Sequence, residues 1–143
     1  MMIRKMNPSD RESVIDMMRV FYASDAVSTN GSDEIFTNDF DACVGNSPYL
    51  EGYIFEKDGQ TVGYGMLAKS FSTEFGKPCI WIEDIYLKPE YRHNGYGTQF
   101  LQFVEKAYPE ALLRLEAEPD NEKAVTAYKK CGFDTLPYLE LKK

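Results

Sequence analysis

The chain has 143 residues, enough for a buried core, and we expect residues 1–143 to form a single domain. A net charge of −7 argues against general nucleic-acid binding, because that function requires a basic face. No apolar run is long enough to cross a bilayer, so no membrane partner is expected. The cysteines are scattered without a Cys-x-x-Cys pair, and His93 is the one histidine. The sequence therefore predicts a cytoplasmic protein that holds no metal.

The first third of the chain predicts an edge strand and two amphipathic helices. Residues 2–6 suit a short edge strand, and Asn7-Pro8 is typical of a helix start with Asn7 as the cap. Residues 23–31 are small and polar and predict a loop, after which Ser32 caps the second helix. The residues expected to face the core are Val14, Met17, Met18 and Phe21, followed by Ile35, Phe36, Phe40, Cys43 and Val44.

The middle of the chain predicts a hairpin followed by a buried strand. Residues 49–56 and 61–69 read as strands, and the Asp58-Gly59 dipeptide between them is a strong hairpin signal. Residues 70–78 are polar and predict an exposed connection. Residues 80–87 are apolar on both faces, which predicts a strand that is central in its sheet.

A glycine loop (residues 92–98) follows that strand and opens a helix. Gly95 and Gly97 let backbone N–H groups approach a bound group closely. The first N–H groups of a helix lack intrahelical partners, and the dipole there favours an anion. Together with the charge of Arg92, these features favour a phosphate site, although glycines at such a turn are also explained by conformation alone.

The last third predicts one more strand over residues 112–117 and a helix capped by Asp120 or Asn121. Residues 133–134 and 136–141 can then supply closing strands. The elements together predict an α/β fold. We expect a central mixed sheet of about six to seven strands, flanked by about four α-helices.

Two stretches carry a resemblance to a known family. The strand followed by Arg92-His93-Asn94-Gly95-Tyr96-Gly97 resembles the hallmark of the GNAT (GCN5-related N-acetyltransferase) superfamily. Residues 113–117 and 121–133 are similar to that superfamily's next strand and helix, with Asn, Ala, Tyr and Gly-Phe at the usual spacing. Two motifs in the right order are more specific than either one alone, and the resemblance extends from about residue 53 to the end of the chain.

The resemblance implies transfer of an acetyl group from acetyl-CoA to a primary amine, by direct attack in a ternary complex. In the superfamily, the central strand splays from the next strand and offers its backbone to the pantetheine arm, while the glycine loop cradles the pyrophosphate. Carried onto this chain, the coenzyme-binding residues are Ile85, Tyr86, Leu87, Arg92, His93, Asn94, Gly95, Tyr96, Gly97, Thr98, Asn121 and Tyr128.

Glu83 and Tyr128 are the candidate catalytic residues. An alkyl amine with a pKa near ~10.4 is mostly protonated at pH 7, so a general base is useful. Glu83 interrupts an apolar strand, and burial would raise its pKa toward a useful range. Asp84 is the alternative base, and either carboxylate could instead pair with a nearby cation or cap a loop. By resemblance, Tyr128 protonates the departing thiolate; the alternative is a core tyrosine bonded to the backbone.

The acceptor is less closely specified. Residues 10–45 contain eight acidic and two basic residues, and the superfamily usually places its acceptor against this region. An acidic wall would attract a small cationic amine such as a polyamine, but such acids more often belong to solvated helix faces. A silent acyl-CoA-binding module, a protein or peptide N-acetyltransferase and an enzyme for longer acyl donors stay open. The sequence does not decide between a monomer and a homodimer.

Overall fold

The computed structural model describes residues 1–143 and contains one five-stranded sheet and four α-helices. The elements are β1 (Met2–Lys5), α1 (Arg11–Tyr22), α2 (Asp33–Val44), β2 (Leu50–Lys57), β3 (Gln60–Ser72), β4 (Lys77–Leu87), α3 (Tyr96–Ala107), β5 (Leu112–Leu115) and α4 (Glu122–Lys130). Two short 3₁₀ helices precede α1 and α3, at Pro8–Asp10 and Pro89–Tyr91. The strands lie in the order β1-β2-β3-β4-β5, and all neighbours are antiparallel except β4 and β5. The sheet is therefore mixed, as predicted.

The prediction of six to seven strands was wrong, because residues 133–143 form no strand. Pro137 lacks a backbone N–H, so a ladder through the middle of this segment would be interrupted. Leu139 and Leu141 are 85% and 86% exposed and bury little apolar surface against the sheet. The edge of β5 that faces away from β4 is consequently not covered by a strand.

The connection predicted over residues 70–78 is exposed, as expected, but it is shorter than predicted. β3 continues through Ser72 and β4 begins at Lys77, with ladder pairs such as Ser70–Cys79 between them. This end of the hairpin projects into solvent, so its residues are polar and lack the apolar alternation of a strand. The two strands are nevertheless paired there by backbone hydrogen bonds. The other hairpin is as predicted: Asp58 and Gly59 have φ values of 51° and 76° and form the turn.

The helix starts follow the caps read from the sequence, with one change. Ser32 Oγ accepts a hydrogen bond from the Ile35 N–H at 3.2 Å and caps α2. Asn7 caps a 3₁₀ turn, and the α-helix itself begins only at Arg11. Ile35 was predicted to face the core but is 47% exposed. None of the helices is long and apolar enough to span a membrane.

The core lies on both faces of the sheet. On one face α1 and α2 cover a cluster that includes Val14, Met18, Phe40, Ile54 and Tyr64. On the other face α3 covers a cluster that includes Phe55, Val62, Leu67, Phe100 and Val104. Buried on both faces, β4 lies inside the sheet between β3 and β5, which confirms the prediction of an interior strand.

Candidate active site

β4 and β5 separate part-way along their length. Their parallel ladder runs from the pair Cys79–Leu112 to the pair Ile82–Leu115 and stops there. Residues 83–87 of β4 consequently have no strand on that side. This separation creates a gap in the interior of the sheet, next to the strand that carries the candidate base.

The backbone of β4 has free hydrogen-bonding groups along this gap. The Lys88 N–H donates to the Val62 carbonyl of β3 at 2.9 Å, so the Leu87 carbonyl points away from β3. Backbone groups alternate along a strand, and the N–H and C=O of Ile85 therefore face the gap as those of Leu87 do. Arg92 Nε already donates to the Leu87 carbonyl at 2.9 Å.

A β-bulge places Glu83 at the start of the gap. Leu67 of β3 pairs with Ile82 and Met66 pairs with Asp84, so Glu83 is an extra residue without a partner. Its side chain is exposed, whereas the apolar flanking sequence predicted burial. The bulge is the reason for this error, because it turns the side chain out of the alternation that the rest of the strand follows.

A cavity of about 880 Å³ fills the gap and extends under the first helical region. Its walls come from α1 and the loop after it, β4, the glycine loop, the end of β5, α4 and the C-terminal segment. The polar and aromatic residues that line it include Tyr22, Ser28, Glu83, Asp84, Tyr86, Arg92, His93, Glu116, Glu118, Asn121, Lys123, Tyr128 and Glu140. The hydroxyl of Ser28 donates to Glu118 and ties the loop after α1 to the loop after β5.

The acidic residues of this cavity are not those expected from the sequence. No acid of residues 10–45 lines it. Arg11 pairs with Asp41, and Arg19 pairs with Asp33 on the exposed surface, while Asp10 binds Arg4. The cavity instead receives its carboxylates from β4, from the loop after β5 and from the C-terminal segment.

Glu83 is a carboxylate with no hydrogen-bond partner in the protein. Burial by the cavity walls raises its pKa, and the negative charges of Asp39 and Glu140 add to the shift. The side chain reaches solvent within the cavity, so the carboxylate is accessible although partly desolvated. A raised pKa and free access are the properties that a general base requires.

Asp84 has the opposite environment. It is 3% exposed, and its two oxygens accept hydrogen bonds from the hydroxyls of Tyr22 at 2.9 Å and Tyr64 at 2.8 Å. Burial raises the pKa of Asp84 to about 6 despite these donors. The carboxylate with a structural partner is thus Asp84.

Tyr128 faces the cavity from α4. Its half-buried ring packs edge-on against Phe133, with 6.2 Å between ring centroids. Burial raises the pKa of the phenol, with a smaller contribution from Cys131, and no protein group hydrogen-bonds the hydroxyl. The alternative of a core tyrosine bonded to the backbone therefore does not describe this residue.

The glycine loop presents a run of free backbone donors. The N–H groups from His93 to Thr98 donate to no protein acceptor, and the first helical hydrogen bond comes from Gln99 to the Gly95 carbonyl at 3.0 Å. His93 and Gly95 have φ values of 63° and 77°, and Gly97 would place a Cβ in open space. This is a concave array of donors at a helix start, which suits a phosphate group.

The side chains of the loop have separate roles. The guanidinium of Arg92 lies 5.7 Å from the ring centroid of Tyr86, which is itself almost fully buried. The Asn94 amide donates to the carbonyls of Tyr91 and Arg92 at 3.2 and 3.1 Å. Tyr96 is buried under the loop, so only its backbone is available to a ligand.

At the start of α4, Asn121 Oδ1 accepts a hydrogen bond from the Ala124 N–H at 3.4 Å. The residue therefore caps the helix, as the sequence predicted, and also lines the cavity. No group of three or more His, Cys, Asp or Glu side chains is arranged to hold a metal ion.

Comparison with known sequences decides the family. The sequence profile of the acetyltransferase (GNAT) family matches residues 15–133 of this chain. The chain belongs to the acetyltransferase (GNAT) family. The thialysine N-ε-acetyltransferase of Bos taurus is 38% identical to this GNAT chain over 82 residues, which are 55% of this chain and 48% of the relative. The enzyme of the same name from Sus scrofa is 39% identical over 82 residues. The chain spans about half the length of the curated relatives it matches.

Solved structures show the same fold. A predicted acetyltransferase with acetyl-CoA from Clostridium acetobutylicum superposes on the GNAT chain with a TM-score of 0.79 and 23% identity, over 99% of this chain and 95% of the other. The aminoglycoside N-acetyltransferase AAC(6')-Iy in complex with CoA has a TM-score of 0.81 at 16% identity, over 99% and 93% of the two chains. At these identities the likeness concerns the fold.

Within this GNAT chain, the structure brings Glu83, Ile85, Leu87, Asn121 and Tyr128 to one cavity. Of the glycine loop, Arg92 and His93 line that cavity, and residues 94–98 lie beyond its wall. Among the lining residues that were not predicted as site residues are Tyr22, Glu116 and Glu140. Glu116 lies near the end of the strand predicted over residues 112–117, so its position could have been identified, whereas Glu140 lies in a segment that was predicted as a strand and forms none.

Proposed function

We propose that residues 1–143 form one N-acetyltransferase domain that transfers an acetyl group from acetyl-CoA to a primary amine in a ternary complex. The observation that carries this proposal is the gap between β4 and β5, in which Glu83 and Tyr128 face one cavity from different elements. No cysteine lines that cavity, so direct attack by the amine is favoured over an acyl-enzyme.

The coenzyme fits the free backbone groups of the gap and the glycine loop. Ile85 and Leu87 would pair with the pantetheine arm as a strand pairs with an edge. The N–H groups from His93 to Thr98 would hold the pyrophosphate, and the amide of Asn121 is near enough to the cavity to bind the pantetheine. Arg92 would contribute positive charge while its Nε holds the end of β4.

Glu83 would serve as the base, directly or through water. Its raised pKa and lack of partners support this role, whereas Asp84 is buried and already binds two hydroxyls. The amine nitrogen forms a bond to the acetyl carbon, the carbon–sulfur bond breaks, and the amine proton passes to Glu83. The free hydroxyl of Tyr128 would donate its proton to the departing thiolate.

The acceptor would be a small cationic amine. Five carboxylates line the cavity without an ion-pair partner: the buried Asp84, and Glu83, Glu116, Glu118 and Glu140. Their field attracts ammonium groups and raises the local concentration of amine. Polyamines are amines of this kind, and so is thialysine, from which the relatives take their name.

The test is release of thiol from acetyl-CoA with spermidine, thialysine, neamine and lysine, for wild type, Glu83→Gln and Tyr128→Phe. We expect turnover with at least one amine, and a loss of kcat of about 100-fold or more in each variant. Glu110→Gln, at an exposed position outside the cavity, is the charge-matched control and should keep wild-type kcat. Tight coenzyme binding without turnover on any amine would favour the silent binding module instead.

A further inference from the structure

A buried hydrogen-bond network joins α1, β3 and β4 at the wall of the cavity. Asp84 accepts from the hydroxyl of Tyr22 through Oδ1 and from that of Tyr64 through Oδ2. No cation neutralises this carboxylate. Tyr64 is fully buried, but Tyr22 lines the cavity on the side of the first helical region. One member of the network is therefore in reach of a bound substrate.

The direction of the hydrogen bond fixes what Tyr22 can offer to that substrate. A tyrosine hydroxyl has one proton and two lone pairs, and Tyr22 gives its proton to Asp84. Burial and the charge of Asp84 raise the pKa of Tyr22, so the hydroxyl stays protonated at neutral pH. Toward the cavity it can only accept a hydrogen bond.

The ring of Tyr22 is held in place by its neighbours. Phe21 packs against it edge-on with 5.3 Å between ring centroids, and Phe36 of α2 packs from another direction at 5.2 Å. Because the hydroxyl is also hydrogen-bonded to Asp84, the ring and the lone pairs of the hydroxyl oxygen have one orientation. Such a fixed acceptor is suited to recognise a donor rather than to fill space.

We propose that Tyr22 is a specificity-determining residue whose hydroxyl accepts a hydrogen bond from an N–H of the acceptor amine, and that Asp84 is the positioning residue that fixes this polarity. The inference rests on the proposed function, because it assigns a residue to the acceptor side of the same cavity. The ligand is an amine or ammonium compound that has at least one N–H group in addition to the nitrogen lone pair that attacks the thioester. Tyr22 cannot polarise the thioester carbonyl, because its proton is committed.

Protonation of Asp84 should weaken this recognition. A protonated Asp84 can donate to Tyr22, whose own proton is then free to turn toward the cavity. The titratable groups that face Asp84 are Tyr22 of α1, Asp39 and Cys43 of α2, Tyr64 of β3 and Glu83 of β4. Because burial raises the pKa of Asp84 to about 6, the contribution of Tyr22 to amine binding should decline as the pH falls through that value.

The test compares the equilibrium binding of spermidine and of thialysine, by calorimetry, to wild type and to Tyr22→Phe. We expect the amine Kd and KM to rise about tenfold, as for loss of a hydrogen bond to a charged group, with kcat and the Kd of acetyl-CoA within about twofold of wild type. The difference in Kd between the two proteins should shrink below about pH 6. A merely structural tyrosine would not separate KM from kcat in this way.

Two further variants make the comparison specific. Tyr53→Phe removes a similar tyrosine–carboxylate bond, 2.7 Å to Glu51, outside the cavity, and should leave the amine Kd unchanged. Asp84→Asn leaves one acceptor oxygen for the two hydroxyls and removes the charge that holds the Tyr22 proton, so it should raise the amine Kd as Tyr22→Phe does. The double variant should then bind no more weakly than either single variant, because the two residues act as one unit.

The outcomes separate this inference from the proposed function. If wild type acetylates an amine and Tyr22→Phe binds that amine within about twofold of wild type, the inference is overturned and the enzyme assignment stands. If wild type binds the amine without turnover, the enzyme assignment fails, and a weaker Kd in Tyr22→Phe still supports the role of Tyr22. If wild type binds neither amine, both are overturned.

Discussion

Two neighbouring carboxylates of β4 differ sharply in environment. Glu83 lies on a bulge, faces the cavity and has no hydrogen-bond partner. Asp84 is buried and binds two tyrosine hydroxyls. Adjacent acids whose surroundings separate their roles are common in enzymes, where one exchanges protons and the other orients. The bulge at Glu83 therefore allows this strand to present an accessible carboxylate, the proposed base, beside a buried network.

The raised pKa of Glu83 predicts the pH dependence of catalysis. The proposed base must be ionised to accept a proton, so kcat/KM should fall as the pH falls through the pKa of Glu83, which burial raises above the ordinary value of a carboxyl. Glu140→Gln removes a charge that contributes to this shift, and the acidic limb of the pH profile should move to lower pH. Glu110→Gln changes the net charge equally and should leave the limb in place. An unmoved limb in Glu140→Gln would contradict the electrostatic account of Glu83.

At the scale of elements, the start of α3 carries the coenzyme proposal. A Cβ on Gly97 would meet no atom within 4 Å, and the residue lies in the first turn of the helix. Gly97→Asp should therefore leave the fold intact, because an acidic side chain in the first turn of a helix is favoured by the helix dipole. Its negative charge would repel a phosphate at the loop N–H groups, and the Kd of acetyl-CoA should rise about tenfold or more.

Thermal unfolding and calorimetric titration of acetyl-CoA measure the stability and the coenzyme affinity of Gly97→Asp separately. Gln102→Asp adds the same charge at an exposed position of the same helix and should leave the Kd of acetyl-CoA within about twofold of wild type. A folded Gly97→Asp variant with wild-type affinity would show that the glycine loop does not hold the phosphates.

The elements that could be predicted from the sequence are those with local signals. Asp58-Gly59 specified a hairpin turn, and Ser32 and Asn121 specified helix starts, because each acts on its own backbone. The bulge at Glu83 has no such signal, since it depends on how β3 pairs with β4. The contribution of Glu140 to the cavity likewise depends on where the C-terminal segment, which does not form its predicted strand, comes to lie.

At the scale of the whole molecule, charge is distributed unevenly around the cavity. The net charge of −7 opposes an anionic coenzyme, so local groups must bind it. Because Leu115 pairs with Ile82, the carboxylates that follow β5 lie near the bulge of β4. Arg92 lies beyond the other end of the gap, at the glycine loop. The acidic end suits a cationic acceptor, and the donor-rich end suits phosphate.

The central claim is that this cavity transfers acetyl groups to amines. The most direct measurement is mass spectrometry of spermidine, thialysine, neamine and lysine after incubation of the wild-type chain with acetyl-CoA labelled in its acetyl carbons. We predict that at least one amine acquires the labelled acetyl group, and that Glu83→Gln abolishes most of this product. Full recovery of unlabelled amines, with acetyl-CoA intact and bound, would contradict the claim.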